Sequence, residues 1–192
     1  MTTLVGFGAS SMQGVGDSQG GFLKRIAAQF ASLQRSVTVI NKGIGGQSTP
    51  AMLARMDELA SLRPYDLVVI LGCNDLPRAR DEHPDNRTSL EVYSANLRHL
   101  LPAIQGRRSL FISSFAVSAE RTGIASEVFD RYMNAATAIA QAAGYDLWDL
   151  YNETKHTTAP LLAADGLHFN DDGHALIARH VHAWLTASEG VH

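Results

Sequence analysis

Four short segments of the chain hold the small polar side chains that acyl-transfer chemistry needs. Residues 8–14 read Gly-Ala-Ser-Ser-Met-Gln-Gly, with Ser10 directly after an apolar run; residues 41–49 are glycine-rich around Gly45 and Gly46; residues 72–75 read Gly-Cys-Asn-Asp; and residues 165–168 read Asp-Gly-Leu-His. A serine hydroxyl is a poor nucleophile until a base removes its proton, and an ordinary imidazole can do that at neutral pH. The spacing between Asp165 and His168 lets a carboxylate reach the ring N–H of its own histidine and fix the tautomer. Adjacent glycines let backbone N–H groups approach a ligand, and Asn74 offers a side-chain amide donor where an oxyanion would develop. Singly, each segment has a plainer reading: a Gly/Ser turn, an Asx turn at Asn74, a solvated Asp-His pair. Their agreement in type, order and position carries the functional reading.

The elements that must position these groups are legible as alternating patterns. Strands are predicted at residues 4–8, 37–41, 67–71, 110–113 and 145–148, mostly as continuous apolar runs, as expected of strands covered on both faces. Helices are predicted at 22–33, 51–62, 90–104 and 126–143, with a last one after Asn170-Asp171-Asp172 that buries Ile177, Val181, Trp184 and Leu185. Strands alternating with helices imply an α/β fold, a three-layer α/β/α sandwich around a five-stranded parallel sheet with right-handed crossovers. Such sheets bind ligands beyond the C-terminal ends of their strands, where all four segments fall. The 192 residues fit one domain spanning 1–192. Hydrophobic residues at 45% and charged residues at 18% exclude a disordered chain. A net charge of −3 argues against nucleic acid as a partner, and the single cysteine excludes a disulfide framework or a Cys-rich zinc site.

Taken together, the four segments resemble the blocks of the SGNH hydrolase superfamily, the GDSL-like lipases and esterases, over nearly the whole chain. The resemblance implies a flavodoxin-like sandwich and a serine ester hydrolase working through an acyl-enzyme. It implies Ser10 as nucleophile, His168 as general base and Asp165 as its partner. It also implies an oxyanion hole from the N–H groups of Ser10 and Gly46 and the side chain of Asn74. No metal or organic cofactor is required by this chemistry, and the expected partner is a small-molecule ester. Two positions depart from the pattern: Ala9 stands where the Gly-Asp-Ser block has its aspartate, and Phe169 follows His168 where proline is common.

Other motifs are expected to be structural. Gly16-Asp17-Ser18-Gln19-Gly20 spells a nucleophile elbow, but it does not directly follow a strand and lacks room upstream for an oxyanion loop, so Ser18 is expected to cap a helix or sit in a loop. Gly6-Phe7-Gly8-Ala9-Ser10-Ser11 imitates a dinucleotide fingerprint, giving a nucleotide-binding α/β protein as the rival class; the second strand, however, ends Ile40-Asn41-Lys42 without an acidic ribose ligand. His174, His180 and His182 do not share a helical face at metal-ligand spacing and are expected on a solvated face. Cys73 is expected to be a partly buried packing residue. The polar insertion 77–88 reads as a solvated loop. The start of the chain shows no secretory pattern, and no apolar run is long enough to span a bilayer, so a cytoplasmic location is the expectation. The segments beside the site, 77–88, 115–125 and 152–164, hold few large apolar residues, which predicts short acyl groups and no lid. Thioesters, lysophospholipids and acetylated carbohydrates remain alternative substrates of the same machinery.

Overall fold

The runs rich in Val, Leu, Ile and Phe form five parallel strands, as their lack of alternation requires. The computed structural model describes residues 2–79, 87–156 and 160–187. The strands are β1 (Thr2–Gly8), β2 (Val37–Gly43), β3 (Asp66–Ile70), β4 (Ser109–Ile112) and β5 (Asp146–Trp148), in the spatial order β2-β1-β3-β4-β5. The central strand β3 is buried along its whole length, and its side chains alternate between two cores. Val68 and Ile70, with Leu4, Leu110 and Ile112, face α2 (Phe22–Ser32) and α8 (Asp171–Ala187). Leu67 and Val69, with Val5, Phe7 and Phe111, face α4 (Leu90–Ile104) and α6 (Ser126–Ala142). Each such side chain contributes about 1.5–3 kcal/mol by leaving water, so the sheet is a rigid platform for the loops at its ends.

Helix boundaries follow local chemistry. Ser89 caps α4, its Oγ accepting from Val92 N–H at 3.3 Å. Asn170 caps α8, its Oδ1 accepting from Gly173 N–H at 3.0 Å, and Asp171 and Asp172 supply the acidic first turn. The helix expected over residues 51–62 is instead two pieces, α3 (Thr49–Leu53) and a 3-10 helix (Met56–Leu62). The break falls at Arg55, whose backbone leaves helical geometry and whose guanidinium turns inward over the Phe7 ring at 4.4 Å. Three short helices, α1 (Ser10–Gln13), α5 (Ala119–Thr122) and α7 (Leu150–Thr154), are too brief to carry a periodic signal.

The solvated face expected for the α8 histidines is also corrected. His174 is fully buried, with Nδ1 accepting from Phe22 N–H at 3.3 Å and Nε2 on Val15 O at 3.1 Å. His180 stacks on Trp148 with ring centroids 3.7 Å apart, and His182 stacks on Phe30 at 4.8 Å. Their spacing does not form a single stripe because α2, β5 and the loop before α2 each take a different histidine. Among the described residues no helix is long and apolar enough to cross a membrane. The charged centre of the polar insertion, Arg80, Asp81, Glu82, His83 and Asp85, lies outside the described residues.

Candidate active site

In a sheet ordered β2-β1-β3, the chain leaves β1 toward one side and returns to build β3 on the other. That reversal opens a crevice at the C-terminal ends of β1 and β3. Ser10 opens α1 immediately after β1, and Asn74 lies just beyond β3. The turn after β2 reaches the same place. Gly45 N–H donates to Gln13 Oε1 at 2.7 Å, and a Cβ on Gly45 would lie only 3.9 Å from that of Ser10. Ala9, buried, and the Asn74 amide both fill the space where Gly72 would carry a side chain. The structure therefore gathers the first three segments around Ser10.

The fourth segment is a clamped loop. Leu162 and Phe169 pair as an antiparallel bridge, Ala163 N–H donates to His168 O at 2.8 Å, and Ser118 N–H donates to Gly166 O at 2.8 Å. Phe169 is buried against Phe115 and His174 and anchors the loop by packing. Within the loop Asp165 Oδ1 accepts the N–H groups of Leu167 and His168 at 2.9 and 3.0 Å, while Oδ2 lies 2.6 Å from His168 Nδ1. Burial pushes the Asp165 carboxyl up, but these N–H groups and the His168 ring outweigh it and bring it down to about 2. An ionised carboxylate can only accept, so Nδ1 carries the proton and Nε2 is left as the basic nitrogen. The loop between the two halves of the site makes the connection: a Cβ on Gly16 would meet His168 Cβ at 3.3 Å.

The donors suited to an oxyanion are uncommitted. Among the described residues no protein acceptor takes the N–H of Ser10 or of Gly46. Gly46 sits at φ +78°, which a glycine adopts freely, with open space on its Cβ side. Asn74 gives one amide hydrogen to Gln47 O at 2.9 Å, and among the described residues no protein acceptor takes the second. Ser10 Oγ, on a half-buried residue, likewise donates to no protein acceptor among the described residues.

Several residues holding this arrangement gave no sequence signal. Arg55 donates from Nε to Gln47 Oε1 at 2.6 Å and from Nη2 to Lys42 O at 2.5 Å, tying the Gly46 turn to β2. A lone arginine in a helical stretch reads as solvated, so only the break in the helix could have revealed it. Asp75 is buried and accepts Thr49 N–H at 2.9 Å and Thr49 Oγ1–H at 2.7 Å, joining the segments around Asn74 and Gly46. Burial pushes its carboxyl up against those hydrogen bonds. Its place beside Asn74 was the one available hint. Cys73 is buried, and burial pushes its thiol up to about 12, so it packs rather than attacks. Ser18 is not at the crevice: its N–H and Oγ–H donate to Asp171 at 2.7 and 2.5 Å. Among the described residues no group of three His, Cys, Asp or Glu side chains is placed to hold a metal ion.

A serine at the strand-end crevice, an Asp-His pair and uncommitted donors are the groups that acyl hydrolysis needs, set on an α/β sandwich. The GDSL-like Lipase/Acylhydrolase family matches residues 7–176, and the chain belongs to it. Its relatives include the isoamyl acetate-hydrolyzing esterase 1 homolog of Homo sapiens, 25% identical, covering 85% of this chain and 73% of that protein. They also include the acetylxylan esterase of Geobacillus stearothermophilus, 27% identical, covering 74% of this chain and 69% of that one. In fold the chain is similar to the crystal structure of a lipase/acylhydrolase from Enterococcus faecalis, with a TM-score of 0.84 and 21% identity, covering 98% of this chain and 97% of that one. The protein is an ester-hydrolysing enzyme.

Proposed function

We propose that the enzyme cleaves small carboxylic esters, acetyl to butyryl in preference to long chains, through an acyl-enzyme on Ser10. The observation that carries the reading is the Asp165–His168 pair at 2.6 Å in a loop that Gly16 ties to the segment leaving Ser10, a serine whose neighbouring N–H donors have no protein acceptor among the described residues. In this reading His168 Nε2 takes the Ser10 proton as Oγ attacks the ester carbonyl. The negative charge that develops on the carbonyl oxygen is met by the N–H groups of Ser10 and Gly46 and by the remaining amide hydrogen of Asn74. His168 returns the proton to the departing alcohol, and water repeats the sequence to release the acid. Asp165 stays ionised and holds the imidazole in one tautomer. Ala9, in place of the block aspartate, contributes a buried methyl and no charge, so it leaves the assigned proton path intact.

The preference for short acyl groups rests on where the nearby apolar side chains go. Phe115 and Ile124 are buried in the two cores, and Leu161 and Leu162 pack against the α2–α8 core. Among the described residues these side chains are taken up by the cores, and methylenes that stay in water add little of the roughly 0.8 kcal/mol each could contribute. Both relatives above carry an acetyl ester in their names, consistent with a short acyl group. The test is a p-nitrophenyl ester series measured below the critical micelle concentration, with fluorophosphonate labelling to map the nucleophile. We expect kcat/KM to fall from butyrate to decanoate and the label to sit on Ser10. A steady climb to decanoate would refute the short-acyl preference, and a label elsewhere would refute the mechanism.

A further inference from the structure

The segment that spells Gly16-Asp17-Ser18 lies away from the crevice floor, yet every one of its residues is tied into the framework between Ser10 and His168. Ser10 O accepts the N–H groups of Gly14 and Val15 at 3.0 Å each, so the segment starts from the serine itself. Val15 O then lies 3.1 Å from His174 Nε2 on α8. Gly16, at φ +94°, lies so close to the His168–Phe169 backbone that a Cβ there would come within 2.1 Å of Phe169 O and 3.3 Å of His168 Cβ. The Asp17 side chain is fully buried; its carboxylate accepts from Gly21 N–H at 2.7 Å and from Arg25 Nε and Nη2 on α2 at 3.0 and 2.5 Å. Ser18 gives both its N–H and its hydroxyl to Asp171 in the first turn of α8. Within this short stretch the chain passes from the serine to the back of the histidine loop and is pinned to both helices of that face.

We propose that residues 14–18 are a positioning brace that sets the separation between Ser10 and His168, with Gly16 as its contact point and Asp17 as its anchor. This rests on the assignment of Ser10 and His168 above. None of these residues reaches the reacting atoms; they act through the placement of the histidine loop. A brace of this kind explains why a bidentate Asp17–Arg25 pair is buried in a loop so close to the nucleophile. Rigid, planar pairs of that type fix geometry more than they add stability.

The test separates placement from folding. Gly16→Ala puts a methyl into Phe169 O and must move the loop, and misplacement of reacting groups by about 1 Å costs up to about 100-fold. We expect kcat to fall about 10- to 100-fold in Gly16→Ala and about 10-fold in Asp17→Asn, with KM within about twofold and fluorophosphonate labelling of Ser10 slowed in parallel. Ser18→Ala keeps its backbone bond to Asp171 and should lose less than about threefold. Tyr145→Phe, which removes a buried hydrogen bond to Leu101 O at the opposite end of the sheet, should lower Tm without changing kcat. The downfield Nδ1 proton of the His168–Asp165 pair should persist in the brace variants, because the pair travels as one loop. A kcat within about twofold of the parent in both Gly16→Ala and Asp17→Asn, measured well below each Tm, would overturn the brace. So would an equal kcat loss in Tyr145→Phe. If Gly16→Ala does not fold, Asp17→Asn alone decides. Ser10→Ala is run beside them: if it retains activity the nucleophile assignment fails, whereas an inactive Ser10→Ala beside unaffected brace variants sinks only the brace.

Discussion

The two ends of the same five strands use their polar groups in opposite ways. At the N-terminal end, donors close on backbone carbonyls. Arg63 reaches Gln105 O at 2.6 Å and Ala103 O at 3.1 Å, Tyr65 Oη–H reaches Ile104 O at 2.7 Å, and Tyr145 Oη–H reaches Leu101 O at 2.8 Å. Asp66, 4% exposed, lies between Arg107 Nε and Arg108 Nη2 at 3.4 Å each. At the C-terminal end, the N–H groups of Ser10 and Gly46 have no protein acceptor among the described residues. Of the carboxylates there, Asp75 is buried and held by Thr49, whereas Asp165 is half exposed and faces an imidazole rather than guanidinium groups. Satisfied groups hold a fold together, while unsatisfied ones at a crevice are available to a substrate. Variants at one end should therefore cost turnover and variants at the other should cost stability.

The largest effect expected is at Ser10. Ser10→Ala should lower kcat at least about 1,000-fold while leaving Tm nearly unchanged, the scale seen when a triad member is lost. Paired ester assays and thermal melts check both halves of that statement. Retained turnover would erase the contrast between the two ends. Asp165→Asn should follow at about two to three orders of magnitude, because the amide favours the wrong imidazole tautomer. Its acid behaviour has a defined sign. The carboxyl at about 2 lies below its unfolded value near 3.9, so its contribution to stability is present above about pH 4 and is lost as pH falls from about 4 to 2. Being ionised above about pH 4, it cannot supply an acid limb of kcat/KM at higher pH. A limb that shifts with substitutions around the carboxylate but not around the ring would contradict this.

Asn74→Ala should cost about 100- to 1,000-fold in kcat with a much smaller change in KM, since its second amide hydrogen matters when charge develops. Steady-state kinetics beside a melt curve again separates the two ends. A rise in KM alone would show that Asn74 binds the ground state and would move the oxyanion hole elsewhere.

The contrast between the ends was only partly legible in the sequence. The strands were readable because apolar–polar alternation disappears where both faces are covered; Leu67 to Ile70 is an unbroken apolar run for that reason. Ser10, Gly46 and Asn74 stood out as small residues after apolar runs that prove to be β1, β2 and β3, and Asp165 and His168 by their three-residue spacing just before the last helix. What was not readable depends on contacts distant in sequence. Arg55 looks like any helical arginine until its guanidinium is seen over Phe7, and that turn is what splits the expected helix. His174 looks solvated until Phe22 N–H and Val15 O are placed on either side of its ring. The Gly16-Asp17-Ser18 segment reads only as a loop or cap, because Arg25 and Asp171 lie 8 and 153 residues away from the residues they bind, beyond any local pattern.

The smallest effect on turnover, and the sharpest test of the other end, is expected from Tyr65→Phe. Its ring is fully buried and its hydroxyl satisfies Ile104 O, so removal leaves that carbonyl without this donor at a cost of about 1–3 kcal/mol. For a chain of this size each kcal/mol shifts Tm by about 2–4 °C, giving an expected drop of about 2–12 °C with kcat and KM unchanged. Burial pushes the Tyr65 phenol up, with Arg63 only partly opposing it. A folded value above the unfolded one, near 10, means the stabilisation is fully present below about pH 10 and is lost as pH rises beyond it. Wild-type Tm should therefore decline more steeply above about pH 10 than that of Tyr65→Phe, which has no phenol to ionise there. Parallel Tm curves would show that the phenol is not held neutral by the fold. A loss of kcat in Tyr65→Phe measured well below its Tm would show instead that the two ends of the sheet are not independent.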